Sequence, residues 1–152
     1  MKILSYSDAP SGWAVCLQDD CPLRERCLRY AVGRLMPADT LQHNTVQPAA
    51  RQGDQCRLFA TSEPVQIAYG MRQMLPRAAN GNIRALRQEL YDIFGSTPHF
   101  YRYRDGRYPI TPEQQARIAE LFQKHGIAEK PLYDRTVKEY FFPTCDVGFS
   151  HA

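Results

Sequence analysis

Cys16-Leu-Gln-Asp-Asp-Cys21-Pro22-Leu-Arg-Glu-Arg-Cys27 decides how the first third of the chain is read, because it places three of the five cysteines within twelve residues. A fourth, Cys56, follows a loop-like stretch from Met36 to Gln55 that holds two prolines and a glycine among many polar residues. Thiolates are soft ligands for zinc and iron, so a dense thiol cluster in a reducing compartment points to a bound metal or cluster. Cys21 and Cys27 cannot share one ion from within a single helix, since six helical residues rise about 9 Å. Cys21 must therefore sit in the turn before a helix, where Pro22 helps to hold it. The expected ligands are Cys16, Cys21, Cys27 and Cys56, with His43 or Asp20 as substitutes for Cys56. Zinc is the first expectation, since Cys16-x4-Cys21 fits the wide end of a zinc knuckle. An iron–sulfur cluster is the alternative, because its ligands are more widely spaced. Two readings need no metal: thiols as small apolar core residues, and a redox or disulfide pair. Cys145, the odd thiol, is read as having no role.

Working outward, Leu23, Cys27, Leu28, Ala31 and Leu35 recur at helical spacing and predict a helix over about 23–35. Trp13, Val15 and Leu17 alternate as a short strand that would deliver Cys16, and a second short strand is expected around Leu41 to Val46. Ser62-Glu63-Pro64 reads as a capped start, with Val65, Ala68, Tyr69 and Met71 or Met74 predicting a helix over about 63–75. Ile83, Leu86, Leu90, Ile93 and Phe94 then define a further helix that Gly95 ends. Thr97-Pro98 opens a short helix over about 98–104, stopped by Asp105-Gly106. Thr111-Pro-Glu-Gln114 has the form of a capping box and opens another helix, ended by His125-Gly126. A last short helix is expected from Pro131 to Phe142.

The fold expected is mainly α: a Cys-rich module over residues 1–60, with a short β ribbon, packed on a helical domain over residues 61–152. Within that domain, residues 82–108 order a helix, a glycine turn and a second short helix, as in a helix-turn-helix. Its outward candidates for duplex DNA are Thr97, His99, Arg102 and Arg104, with Arg84 and Arg107 placed for phosphates. Arginine suits both tasks through its planar, bidentate fork. Tyr101, Tyr103 and Tyr108 would alternatively stack on unpaired bases. The motif favours a small residue four places before the turn glycine, and this chain has Tyr91 there. A structural helical hairpin with a solvated arginine rim, or a surface for another protein, are the competing readings.

Composition narrows the classes further. With 43 % hydrophobic and 23 % charged residues, the 152-residue chain reads as folded, and its net charge of +3 permits an anionic partner without requiring one. The first residues lack the apolar run of a secretory leader, and no stretch approaches the roughly 20 apolar residues of a membrane span. A cytoplasmic protein without a membrane partner is therefore expected. No glycine-rich phosphate loop, Gly-x-Ser-x-Gly elbow or His-Glu-x-x-His helix is present, so no enzyme class is nominated.

Cys-Pro-x4-Cys-Leu-Arg at 21–29, Phe-Tyr-Arg-Tyr-Arg-Asp-Gly at 100–106, Thr-Pro-Glu-Gln-Gln at 111–115 and Tyr-Asp-x4-Glu-Tyr at 133–140 together resemble a family of uncharacterised proteins of gut-dwelling Bacteroidetes. The resemblance spans most of the chain and implies a bacterial cytosolic protein, with no activity attached. Residues Leu86 to Ile127 separately resemble short helix-turn-helix proteins of the same bacteria.

Overall fold

A computed structural model describes residues 2–77 and 83–144. The chain falls into two compact units, Met1–Pro64 with Tyr140–Ala152, and Val65–Glu139. Helices are combined with two small antiparallel sheets.

The first unit is built around Trp13, Val15, Leu28, Val32 and Ala60, with Tyr140 and Phe142 of the returning chain packed against them. The alternating segment at 13–17 is extended, and Val15 bridges Thr45 in parallel rather than forming a longer ladder. The helix expected over 23–35 is divided: a 3-10 turn spans Arg24–Arg26, and helix α1 spans Leu28–Arg34. Cys27 is the hinge between them, extended at φ −105° and ψ 119°, because it bridges Thr61 on the far side of the loop. A hairpin of β1 (Arg51–Gln52) and β2 (Gln55–Cys56) supplies the ribbon.

In the second unit, β3 (Val65–Tyr69) and β4 (Arg135–Glu139) pair antiparallel over five residues, from Val65 opposite Glu139 to Tyr69 opposite Arg135. These strands replace most of the helix expected at 63–75 and the one expected at 131–142. In five residues, Val-Gln-Ile-Ala-Tyr and Arg-Thr-Val-Lys-Glu fit either period, and β-branched residues plus cross-strand pairing decide for the sheet. Only a short α2, Met74–Arg77, remains of the former helix.

Three further helices follow the expected order: α3 (Ile83–Phe94), α4 (Thr97–Arg104) and α5 (Pro112–Lys124). Leu86, Leu90 and Phe94 of α3 meet Phe100 of α4 and Ile118 and Phe122 of α5 in one core. The cap of α4 is Ser96 rather than Thr97, its hydroxyl accepting from the His99 N–H. Thr111 caps α5, with the reciprocal Gln114 bond of a capping box. The turn asparagine-glycine segment at 80–82, with Asn82 at the head of the expected hairpin, lies outside the described residues. Among the described residues, no helix is long and apolar enough to cross a membrane.

Candidate metal centre and nucleic-acid surface

Each cysteine of the first unit is set by its backbone. Cys16, buried at 8 % exposure, lies in the extended segment and donates its N–H to the Arg29 carbonyl at 3.0 Å. From Cys21 the chain coils in two tight turns, Arg24 N–H to the Cys21 carbonyl and Cys27 N–H to the Arg24 carbonyl, each 3.2 Å. Cys27, also 8 % exposed, follows those turns two residues before Arg29, whose carbonyl accepts from the Cys16 N–H. Cys56 stands in β2 opposite Arg51, and the Arg51 guanidinium reaches the Asp20 carbonyl and carboxylate at 3.2 Å each, beside Cys21.

Arg29, 2 % exposed, ties these pieces together. Its Nε donates to the Leu58 carbonyl at 2.7 Å, just after Cys56, and its Nη1 to the Ala14 carbonyl at 2.6 Å, just before Cys16. Nη2 reaches the Pro143 carbonyl at 3.3 Å, and the guanidinium lies over the Trp13 ring at 4.2 Å. Gly33 permits α1 to lie against the Cys16 segment, since a Cβ there would stand 2.5 Å from the Cys16 carbonyl oxygen.

The electrostatics agree with these ties. Burial pushes the Cys16 thiol up, a hydrogen bond from the Gln18 backbone lowers it, and thiolate charge at Cys27, Cys21 and Cys56 raises it further. Among the described residues, no three His, Cys, Asp or Glu side chains form a ready set of ligands for a single ion. Cys16, Cys21, Cys27 and Cys56 are free thiols. The substitute ligands are engaged elsewhere, Asp20 with Arg51, and His43 with the Asn44 carbonyl at 2.8 Å and the Tyr6 ring. Cys145 lies outside the described residues.

In the second unit, Gly95 ends α3 at φ +83°, and only Gly95 and Ser96 join it to α4. Tyr91 fills the crossing, its ring 4.9 Å from Phe100 and 6.4 Å from Tyr101. Arg84, Thr97, His99, Arg102 and Arg107 are exposed, whereas Arg104 is half-buried. Arg104 is also occupied: it donates twice to one Asp105 oxygen, at 3.0 and 2.9 Å, and lies over Tyr101 at 4.6 Å. Arg102 approaches the Tyr108 hydroxyl at 3.4 Å.

Sequence reasoning missed three features. Arg29 carries no motif of its own in the sequence, and only its place between the apolar Leu28 and Val32 hints at burial. Glu89 joins α3 to the end of α5, accepting from Lys124 at 2.7 Å and pairing with His125 Nε2 at 2.9 Å; a join 35 residues apart leaves no local signal. Tyr133 has a buried hydroxyl with no hydrogen-bond partner among the described residues, and burial pushes its pKa up to about 12.

Comparison with known proteins gives one positive result: the model of a family of unknown function (DUF6078) matches residues 1–142, and the chain belongs to that family. No curated protein and no solved structure gives a significant match.

Proposed function

We propose that this family member is a non-enzymatic, metal-stabilised DNA-binding protein. Cys16, Cys21, Cys27 and Cys56 hold the metal and staple the first unit, and exposed side chains of α4 and the turn after it contact DNA. What supports the reading is that Cys16, Cys21, Cys27 and Cys56 are free thiols and that Arg29 ties the segments beside two of them, through the Ala14 and Leu58 carbonyls, while its own carbonyl accepts from the Cys16 N–H.

The DNA half is supported by Thr97, His99, Arg102 and Arg107, which α4 and its following turn leave exposed, and by Tyr101 and Tyr108, 40 % and 39 % exposed. Arg84 adds a cation at the start of α3. Arg104, already held by Asp105 and stacked on Tyr101, positions that surface rather than reaching for a base. With Tyr91 filling the helix crossing, phosphate contact is the larger part of the expected binding, and it weakens steeply with salt.

Retention of the full chain on short duplex DNA at low salt tests the second half. The double variant Arg102→Glu/Arg107→Glu is expected to lose retention, and a wild-type chain that passes through unretained at low salt contradicts DNA binding. Elemental analysis of freshly purified protein tests the first half, with bound metal expected and metal-free protein contradicting it.

A further inference from the structure

We infer that the cleft between residues 6–12 and 42–44 of the first unit is a binding site for a small, uncharged, hydroxyl-rich ligand, a sugar by chemical class. It uses neither the thiols nor the surface of α4, so it goes beyond the function proposed above. The cleft has a volume of about 540 Å³, within the range of small-molecule sites. Tyr6 and Ser11 line it from one side, and Gln42, His43 and Asn44 from the other.

Both walls are tied in place by hydrogen bonds. On the first, a 3-10 turn over Tyr6–Asp8 is closed by a capping box: the Ser5 hydroxyl accepts from the Ser7 N–H at 3.3 Å, and the Asp8 carboxylate accepts from the Ser5 N–H at 2.9 Å. The chain then turns at Gly12, whose φ of +75° suits glycine, and the Trp13 N–H donates to the Pro10 carbonyl at 3.0 Å. The second wall is held by Val15, whose N–H donates to the Asn44 carbonyl at 3.1 Å and whose carbonyl accepts from the Val46 N–H at 2.8 Å. Asn44 Nδ2 joins the walls by donating to the Gly12 carbonyl at 2.9 Å, and the Tyr6 and His43 rings meet edge to face at 5.8 Å. A site already built spends little binding energy on ordering its own groups.

The lining sets the class of ligand. It contains no Lys, Arg, Asp or Glu, and Asp8 of the adjoining turn is already paired with Lys2. A charged ligand would lose water here and gain no counter-charge, which is costly. A neutral ligand meets donors and acceptors instead. Because a carbonyl only accepts, His43 Nδ1, 2.8 Å from the Asn44 carbonyl, carries the proton, and the neutral ring keeps Nε2 as an acceptor. Asn44 turns its amide nitrogen to Gly12 and keeps its side-chain oxygen for a hydroxyl. Ser11 and Gln42, both exposed, add groups that donate as well as accept. Tyr6 and His43 bring ring surface, and a sugar joins apolar C–H faces to a rim of hydroxyls, so one molecule satisfies both kinds of wall.

The test is saturation-transfer NMR of the full chain with the methyl glycosides of glucose, galactose, mannose and N-acetylglucosamine, at mildly alkaline pH where an ordinary imidazole is neutral. Transfer to at least one glycoside is expected, and calorimetric titration with that glycoside then gives its affinity. His43→Ala and Ser11→Phe are each expected to weaken it about tenfold or more while circular dichroism stays that of wild type, and either variant that folds decides the point. Phosphorylated glucose is expected to bind more weakly than the neutral glycoside. No transfer to any of the glycosides overturns the proposal. Equal or tighter binding of phosphorylated glucose overturns the uncharged class, and unchanged affinity in a folded variant overturns the location.

Discussion

Arg29 holds three stretches of the first unit at once through the carbonyls of Ala14, Leu58 and Pro143. Replacing it with methionine keeps the apolar stem but strips the partners from these carbonyls, and each such loss costs about 1–3 kcal/mol where burial is complete. Arg29→Met is therefore expected to destabilise the first unit by about 3 kcal/mol or more, measured by denaturant unfolding followed through Trp13, the single tryptophan. A loss below about 1 kcal/mol would remove Arg29 from its central place. Tyr133 offers the opposite sign. Its buried hydroxyl lacks a partner among the described residues, so Tyr133→Phe is expected to raise stability by about 1 kcal/mol, and a clear loss would reveal a contact for that oxygen.

At the level of elements, Gly33 allows α1 to approach the Cys16 segment, and Gly33→Ala is expected to force the two apart. Metal retention by purified Gly33→Ala protein should drop several-fold while the helical circular dichroism of the second unit stays close to wild type; full retention would show that the approach does not govern the centre. The α3–α5 pair carries a pH prediction. Hydrogen bonds from Lys124 and His125 hold the Glu89 carboxyl below its ordinary value of 4.5. The stability this adds is present above pH 4.5 and is lost as pH falls through the lowered value. Glu89→Gln should flatten the acid limb of the second unit's pH–stability curve, and an unaltered limb would contradict the coupling.

The elements also show what the sequence could reveal. Helices α3, α4 and α5 were legible because caps, prolines and stop glycines are local signals read directly from Thr111, Pro112, Gly95 and Gly126. Strands β3 and β4 were not, since their partners lie 66 to 74 residues apart and a five-residue apolar pattern fits two periods. The same division holds at the centre. Cysteine spacing brought attention to Cys16, Cys21, Cys27 and Cys56, but the frame around them depends on Arg29, Gly33 and Arg51, whose contacts arise only in the fold.

Across the whole molecule, two units have separate cores, so the proposed metal would act on the first of them alone. Binding to the folded state alone stabilises that state by mass action, so stripping the metal should loosen the core around Trp13 and leave the α3–α4–α5 core in place. The central claim, that four thiols share one metal centre, is tested most directly by X-ray absorption at the edge of the bound metal in freshly purified protein. The account predicts a first shell made entirely of sulfur, at about 2.3 Å. A shell of nitrogen or oxygen would contradict it.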